Sequence, residues 1–301
     1  VSAQNQPLQF SLALDLRQRS DGALAFAQWL VRAVESAGQR KANVGAMHVI
    51  EPQQVAHLRD VRTFDDLVYF AKRGVQETAE RMGAQQLLAD CEVLSGNDVA
   101  DALAQAATKA NADALVIGRV APRDAELLNR LGAIARKVLR QLPTTTIVVP
   151  PDLSANEVGG GPVVVALDAS DNSLGAVHFA RKISTALGRA LVGVHVVGIP
   201  ESWGYGYVSG EAAEAAMQSV RVAGERAIED WAAKHAQTDL RLILAQGVAS
   251  REIVRVAQDL DACLIVTGSR KLSTLERFFM TSVGTEVAAS AEIPVAVVPN
   301  E

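Results

Sequence analysis

Cysteine, aromatic rings and long apolar runs are scarce in this chain, and each scarcity removes a class of protein. The 301 residues hold only two cysteines, Cys91 and Cys263, in different halves and without CxxC spacing. Neither a disulfide framework nor a zinc site is therefore expected. Cys263 sits inside an aliphatic run and reads as a small buried hydrophobe. Aromatics make up 4% of the chain, so its cores must be aliphatic. Such cores suit parallel sheets with helices on both faces. No apolar run reaches the ~18 residues of a membrane span. The start, 1–7, lacks a basic segment followed by an apolar one, so no secretory signal is read. The formal net charge is −5, which argues against nucleic acid as the main partner. The expected setting is cytoplasmic. GxSxG, HExxH and a full P-loop are also missing, and no nucleophile–base constellation stands out. Turnover, if any, would have to borrow its chemistry from a bound nucleotide.

What is present is duplication. Ser11-Leu-Ala-Leu-Asp15 matches Val164-Val-Ala-Leu-Asp168, and Met47-His48-Val-Ile matches Val194-His195-Val-Val. Ala114-Leu-Val-Ile-Gly118 matches Leu264-Ile-Val-Thr-Gly268, and Thr146-Ile-Val-Val-Pro150 matches Val295-Ala-Val-Val-Pro299. The offset stays between 147 and 153 residues, so the chain reads as two copies of one domain rather than short repeats. Pro151 to Pro162, with Gly159-Gly-Gly161 inside it, reads as a linker. Domains are expected at 1–154 and 155–301.

Each copy alternates strand and helix. Strands are expected at 9–15, 43–50, 86–94, 112–118 and 144–149, then at 162–168, 190–198, 239–246, 261–267 and 293–298. Helices are expected at 21–38, 63–83, 97–110 and 129–141, then at 171–187, 210–236, 249–259 and 281–291. Met217, Val220, Gly224, Ala227 and Trp231 step along one helix face. The alternation implies right-handed crossovers and an α/β fold: two doubly wound, parallel, five-stranded sheets of flavodoxin-like or Rossmann-like type, ordered 3-2-1-4-5. In that order strands 1 and 4 are neighbours and the winding reverses between them, which is where such sheets take ligands. Asp168 and Gly268 end those strands in the second copy, Asp15 and Gly118 in the first. Asp261 to Gly284 is the richest stretch: a buried strand, a polar loop, and a helix start where Thr281 and Ser282 offer hydroxyls and free N–H groups.

These pieces, taken in order, resemble the universal stress protein family, whose adenine nucleotide alpha hydrolase-like fold agrees with the sheet layout. The resemblance spans both halves and implies a tandem member, paired within the chain as an intramolecular dimer through its last strands, with a homodimer as a further option. Nucleotide-binding members carry G-x2-G-x9-G-[S/T] after strand 4. Carried over, the resemblance implicates Asp168, Val196, Gly268, Thr281, Ser282 and Val283 in holding ATP or another adenine nucleotide, with magnesium only on that nucleotide. The motif is damaged: Lys271 and Thr281 stand where its second and third glycines belong. Arg270 and Lys271 offer phosphate a point charge in their place. In the first half Asp15, Gly118 and Gly132 remain, but Ala121 and Ala133 replace the middle glycine and the hydroxyl residue. Three functions follow: a stress-response regulatory protein with degenerate nucleotide sites, an ATP-binding and slowly hydrolysing one using the second site, or a nucleotide-independent small-molecule or protein-interaction module. The loop 199–210, with Trp203, Tyr205 and Tyr207, is a candidate partner patch or lid.

Two groups have plainer readings. His48 and His195 recur at equivalent strand ends and are expected to be structural. Asp168 to Asn172 reads first as a helix cap through Ser170 or Asp171, with contact to magnesium on a nucleotide an additional role for Asp168 only. His57, His178 and His235 are scattered, and no metal is claimed.

Overall fold

The computed structural model describes residues 6–16, 19–55, 63–120, 127–198, 210–269 and 282–300. The first half runs β1 (Leu8–Ala13), α1 (Asp21–Ala37), β2 (Ala42–Ile50), α2 (Pro52–Val55), α3 (Phe64–Met82), α4 (Gln85–Leu88), β3 (Glu92–Ser95), α5 (Val99–Lys109), β4 (Ala114–Gly118), α6 (Leu127–Gln141) and β5 (Thr146–Val149). The second runs β6 (Val163–Leu167), α7 (Leu174–Leu187), β7 (Leu191–Val197), α8 (Glu211–Lys234), β8 (Arg241–Gln246), α9 (Ala249–Asp259), β9 (Leu264–Gly268), α10 (Val283–Ser290) and β10 (Val295–Val298).

The strands form one ten-stranded sheet ordered β3-β2-β1-β4-β5-β10-β9-β6-β7-β8. Each half keeps the 3-2-1-4-5 order, and all its described pairings are parallel. The halves meet where β5 and β10 pair antiparallel, Ile147 opposite Ala296. Each last strand thus covers the edge the other would leave open, and an aliphatic edge strand is otherwise a template for aggregation. Both strands are buried along their whole length, as continuous aliphatic runs in covered parallel sheets are.

Two aliphatic cores lie on the two faces of the sheet, and each crosses the seam. One joins Leu24, Phe26 and Leu30 of α1 to Val177, Ala180 and Ile183 of α7. The other joins Leu131 and Val138 of α6 to Val287 and Ala288 of α10. Cys263 is fully buried among them. Burial pushes the Cys263 thiol up to about 11, and burial, then Glu92, does the same for Cys91, so neither is a ready thiolate.

Polar ties reinforce the seam. Arg119, 1% exposed, follows β4 and reaches across to α10. One of its terminal nitrogens donates to the Ala289 and Ala291 carbonyls at 2.8 and 2.9 Å, and the other to the Glu292 carboxylate at 3.0 and 3.1 Å. A cation at a helix C-terminus satisfies orphan carbonyls and meets the negative end of the helix dipole. On the opposite face Lys182 of α7 pairs with Asp113, whose other oxygen accepts the Gln9 N–H.

Two local expectations need correcting. The strand expected at 86–94 is split: Gln85–Leu88 forms a helical turn that buries Leu88, and only Glu92–Ser95 is strand. The buried face of α8 passes through Ile228, while Ala227 is exposed, because the stripe steps by four there rather than three. Gly159 to Gly161, in the segment between the two copies, is held against Asp261. The Gly160 and Gly161 N–H groups donate to the Asp261 carboxylate and carbonyl, both at 2.7 Å. A Cβ on Gly161 would overlap the Leu260 carbonyl, so these glycines serve close approach of two backbones.

Candidate functional site

In both halves the end of strand 1 turns into the next helix by the same device. The Asp15 N–H donates to Ser20 Oγ at 3.0 Å, and the Asp168 N–H to Ser173 Oγ at 3.1 Å. The spacing of five, Asp15 to Ser20 and Asp168 to Ser173, recurs in the sequence. The strand-2 histidines are also equivalent. His48 Nδ1 lies 2.9 Å from the Leu14 carbonyl, and His195 Nδ1 lies 2.9 Å from the Leu167 carbonyl. A carbonyl only accepts, so each Nδ1 carries the proton and ties strand 2 to the end of strand 1. This is the structural role expected of them.

The first half opens a crevice of about 960 Å³ at the winding reversal. Asp15, Gly118 and Gly132, the three residues expected there, all line it. Gly118 is held close: a Cβ on it would sit 2.6 Å from the Arg19 carbonyl. Gly132 breaks α6 with φ 71° and ψ 169°, a conformation open to glycine and strained for other residues. The helix resumes after it, so N–H groups of Ala133 to Ala135 start a helical turn at the crevice wall. The sequence reading missed the other contributors. Arg19, Ser20, His48 and Glu51 line the crevice, as do Leu67 and Phe70 from α3, Leu103 from α5, and Lys137 from α6. Lys137 Nζ is 2.6 Å from Asp98 and 3.2 Å from Asp101. That hydrogen bond lowers the Asp98 carboxyl below its usual range, helped by the Asp101 N–H at the start of α5.

The second half brings Asp168 and Gly268 together as its strand order requires. Gly268 ends β9, and a Cβ there would lie 3.3 Å from the Asn172 carbonyl. The Asp168 carboxylate accepts from the Ser170 N–H at 3.0 Å, Ser170 Oγ at 2.6 Å and Ser173 Oγ at 2.8 Å. It organises the turn that places the Ser170 cap. Ser170 also accepts from the Asn172 N–H at 3.3 Å. Trp231 of α8 donates its ring N–H to the Ser170 carbonyl at 2.9 Å, and Lys234 and His235 reach Asp171 at 3.0 and 2.9 Å. Lys234 first, then His235, lowers the Asp171 carboxyl from its ordinary value. Ser282 caps α10, accepting from the Thr285 N–H at 3.2 Å, and Val283 follows half-buried against the core. Val196 lies half-buried in β7, paired with Ala245 of β8. Arg270, Lys271 and Thr281 lie outside the described residues, as does the aromatic loop 199–209.

The described geometry defines a duplicated, doubly wound α/β protein with a crevice at a strand 1–strand 4 switch point. The sequence model of the universal stress protein family matches residues 12–150 and again 161–299. The chain belongs to that family and carries its domain twice. It is 29% identical over 142 residues to universal stress protein MJ0531 of Methanocaldococcus jannaschii, covering 45% of this chain and 80% of that one. It is 30% identical over 143 residues to universal stress protein YxiE of Bacillus subtilis, covering 45% of this chain and 97% of that one. Among solved structures, a universal stress protein from Archaeoglobus fulgidus superposes with a TM-score of 0.64 at 17% identity, over 98% of this chain and 97% of the other. A functionally unknown protein from Pseudomonas aeruginosa gives 0.57 at 14%, over 100% and 95%. These likenesses concern the fold. No described helix is long and apolar enough to cross a membrane.

Proposed function

We propose that this tandem universal stress protein is a stress-response regulatory binding protein whose ligand enters the crevice of the first half. The observation that carries the reading is the 960 Å³ crevice bounded by Asp15, Gly118 and Gly132. It lies at the switch point, and its size is that of small-molecule sites. A domain division between 154 and 155 and a cytoplasmic setting belong to the same proposal. Both loops are degenerate as triphosphate cradles, so binding and signalling fit better than hydrolysis.

The second reading is ATP, with magnesium, in the second half. Its support is the looser fit around Gly268 and the Ser282-capped start of α10. A thermal-shift titration with MgATP and with small apolar ligands separates the two. Saturable stabilisation that Ala133→Trp abolishes and Asp168→Ala spares is the expected result. Stabilisation by MgATP that only Asp168→Ala abolishes would overturn the first-half reading.

A further inference from the structure

The walls of the first-half crevice describe its occupant. Leu67 and Phe70 of α3, Val99 and Leu103 of α5, and Ile117 of β4 give it hydrocarbon on several sides. Phe70 and Ile134 each remain 45% exposed at these walls. The same two turns of α3 leave Phe64 45% and Tyr69 64% exposed, and Tyr69 packs edge-on against Phe70 at 5.6 Å. In a chain with 4% aromatics, three on one exposed stretch of helix is a concentration. Exposed apolar surface of this kind marks a binding face rather than a core.

The charges point the same way. Among the described residues the lining carries Arg19 and Lys137 against Asp15, Glu51 and Asp98. Lys137 is already engaged by Asp98 and Asp101 at 2.6 and 3.2 Å. Among the described lining residues carboxylates outnumber cations, and Lys137 is already taken up by two of its neighbours, so a polyphosphate finds no surplus of positive charge there.

We infer that the crevice takes an aryl or alkyl compound that is uncharged or singly charged, its apolar body against α3 and α5 and its polar end toward Asp15 and Arg19, and that it discriminates against nucleoside polyphosphates. This rests on the reading of the first half as the ligand-receiving half, and it goes further by naming the ligand class. Burial of an aryl body against such walls removes apolar surface from water, which drives binding. The polar groups at the inner end fix orientation.

The test is a fluorescence titration of the full chain with N-phenyl-1-naphthylamine, a neutral aryl reporter that brightens in apolar surroundings. The expected result is a saturable rise with one site per chain that equimolar MgATP does not displace. Ala133 is exposed and lines the crevice, so Ala133→Trp fills the opening without touching the core. It is expected to weaken binding about tenfold or more, with an unchanged melting curve. Phe70→Ser with Ile134→Ser is expected to weaken it several-fold. Val248→Ser, which removes another exposed apolar side chain in the second half, is expected to change nothing. Absence of binding, binding indifferent to Ala133→Trp, or displacement by equimolar MgATP overturns the inference. If MgATP stabilises the chain through Ala133 while the naphthylamine does not bind, the ligand class is wrong and the first-half site stands. If neither ligand responds to Ala133→Trp, the site falls with it.

Discussion

The two halves share a strand order, a histidine-to-carbonyl tie and an aspartate-to-serine turn, yet they do different things with the ends of strands 1 and 4. In the first half Asp15, Arg19 and Ser20 of the turn line a large crevice. In the second, the Asp168 carboxylate accepts from Ser170 and Ser173, and Trp231, Lys234 and His235 of the α8 end hold the following residues. Gly118 and Gly268 are equivalent, but the residues after them are not. Arg119 latches the seam, while Ser269 stands in its place in the second half. Duplication supplies one scaffold twice. Once the halves are covalently joined, each can drift toward a separate task, because the partner's effective concentration no longer depends on affinity.

Substitutions at paired positions test this asymmetry, beginning with the largest effect. Arg119→Met leaves the Ala289 and Ala291 carbonyls unanswered and the Glu292 carboxylate without its guanidinium partner. Breaking one side of a buried charged network costs roughly 3–5 kcal/mol. Urea denaturation is expected to show a loss in that range, and a loss under ~1 kcal/mol would remove the latch from the account. Next come the two glycines. Gly118→Ala meets backbone at 2.6 Å, whereas Gly268→Ala meets it at 3.3 Å. The first should destabilise by about 1–3 kcal/mol and the second by clearly less. Equal costs would mean the two turns are equally tight.

The histidines should behave alike. His48→Ala and His195→Ala each delete one half-buried hydrogen bond of the same 2.9 Å length. Each should cost about 1 kcal/mol in the same denaturation series, and a large difference between them would break the symmetry claimed for the scaffold. The smallest effect is on acid stability. The Asp98 and Asp171 carboxyls are held below their ordinary values, by Lys137 and by Lys234 with His235. A depressed folded value contributes stability above the unfolded value of about 4, lost as pH falls through the folded one. Asp98→Asn and Asp171→Asn should therefore flatten the decline in melting temperature below about pH 4 and lower it slightly at pH 7. Variants with an unchanged acid limb would contradict the assignment.

Much of the architecture was legible because buried parallel strands announce themselves. Val163–Leu167 and Leu264–Gly268 are aliphatic on both faces, and the offset between halves repeated for every strand compared. Helix α9 begins and ends where its pattern predicted, at Ala249 and Asp259. Short irregular pieces were less legible. Gln85–Leu88 looks like the start of a strand by composition, and only burial of Leu88 under the sheet makes it a turn of helix. The seam latch was not legible, since Arg119 and Glu292 lie 173 residues apart and nothing local links them. The prominence of the first-half crevice was equally hidden. Its walls include residues of α3, α5 and α6, and motif glycines do not report which helices stand there. For Asp15, Gly118 and Gly132, the sequence located a shared place and left the character of its walls unread.

Amide hydrogen exchange of the full chain, with and without saturating N-phenyl-1-naphthylamine and in parallel with MgATP, tests the division of labour most directly. The account predicts slowing with the aryl ligand confined to the first half, at residues 15–20, 48–51, 99–103 and 132–137, with little change under MgATP. Slowing by either ligand at 168–173, 196 and 268, with the first half unaffected, would contradict it.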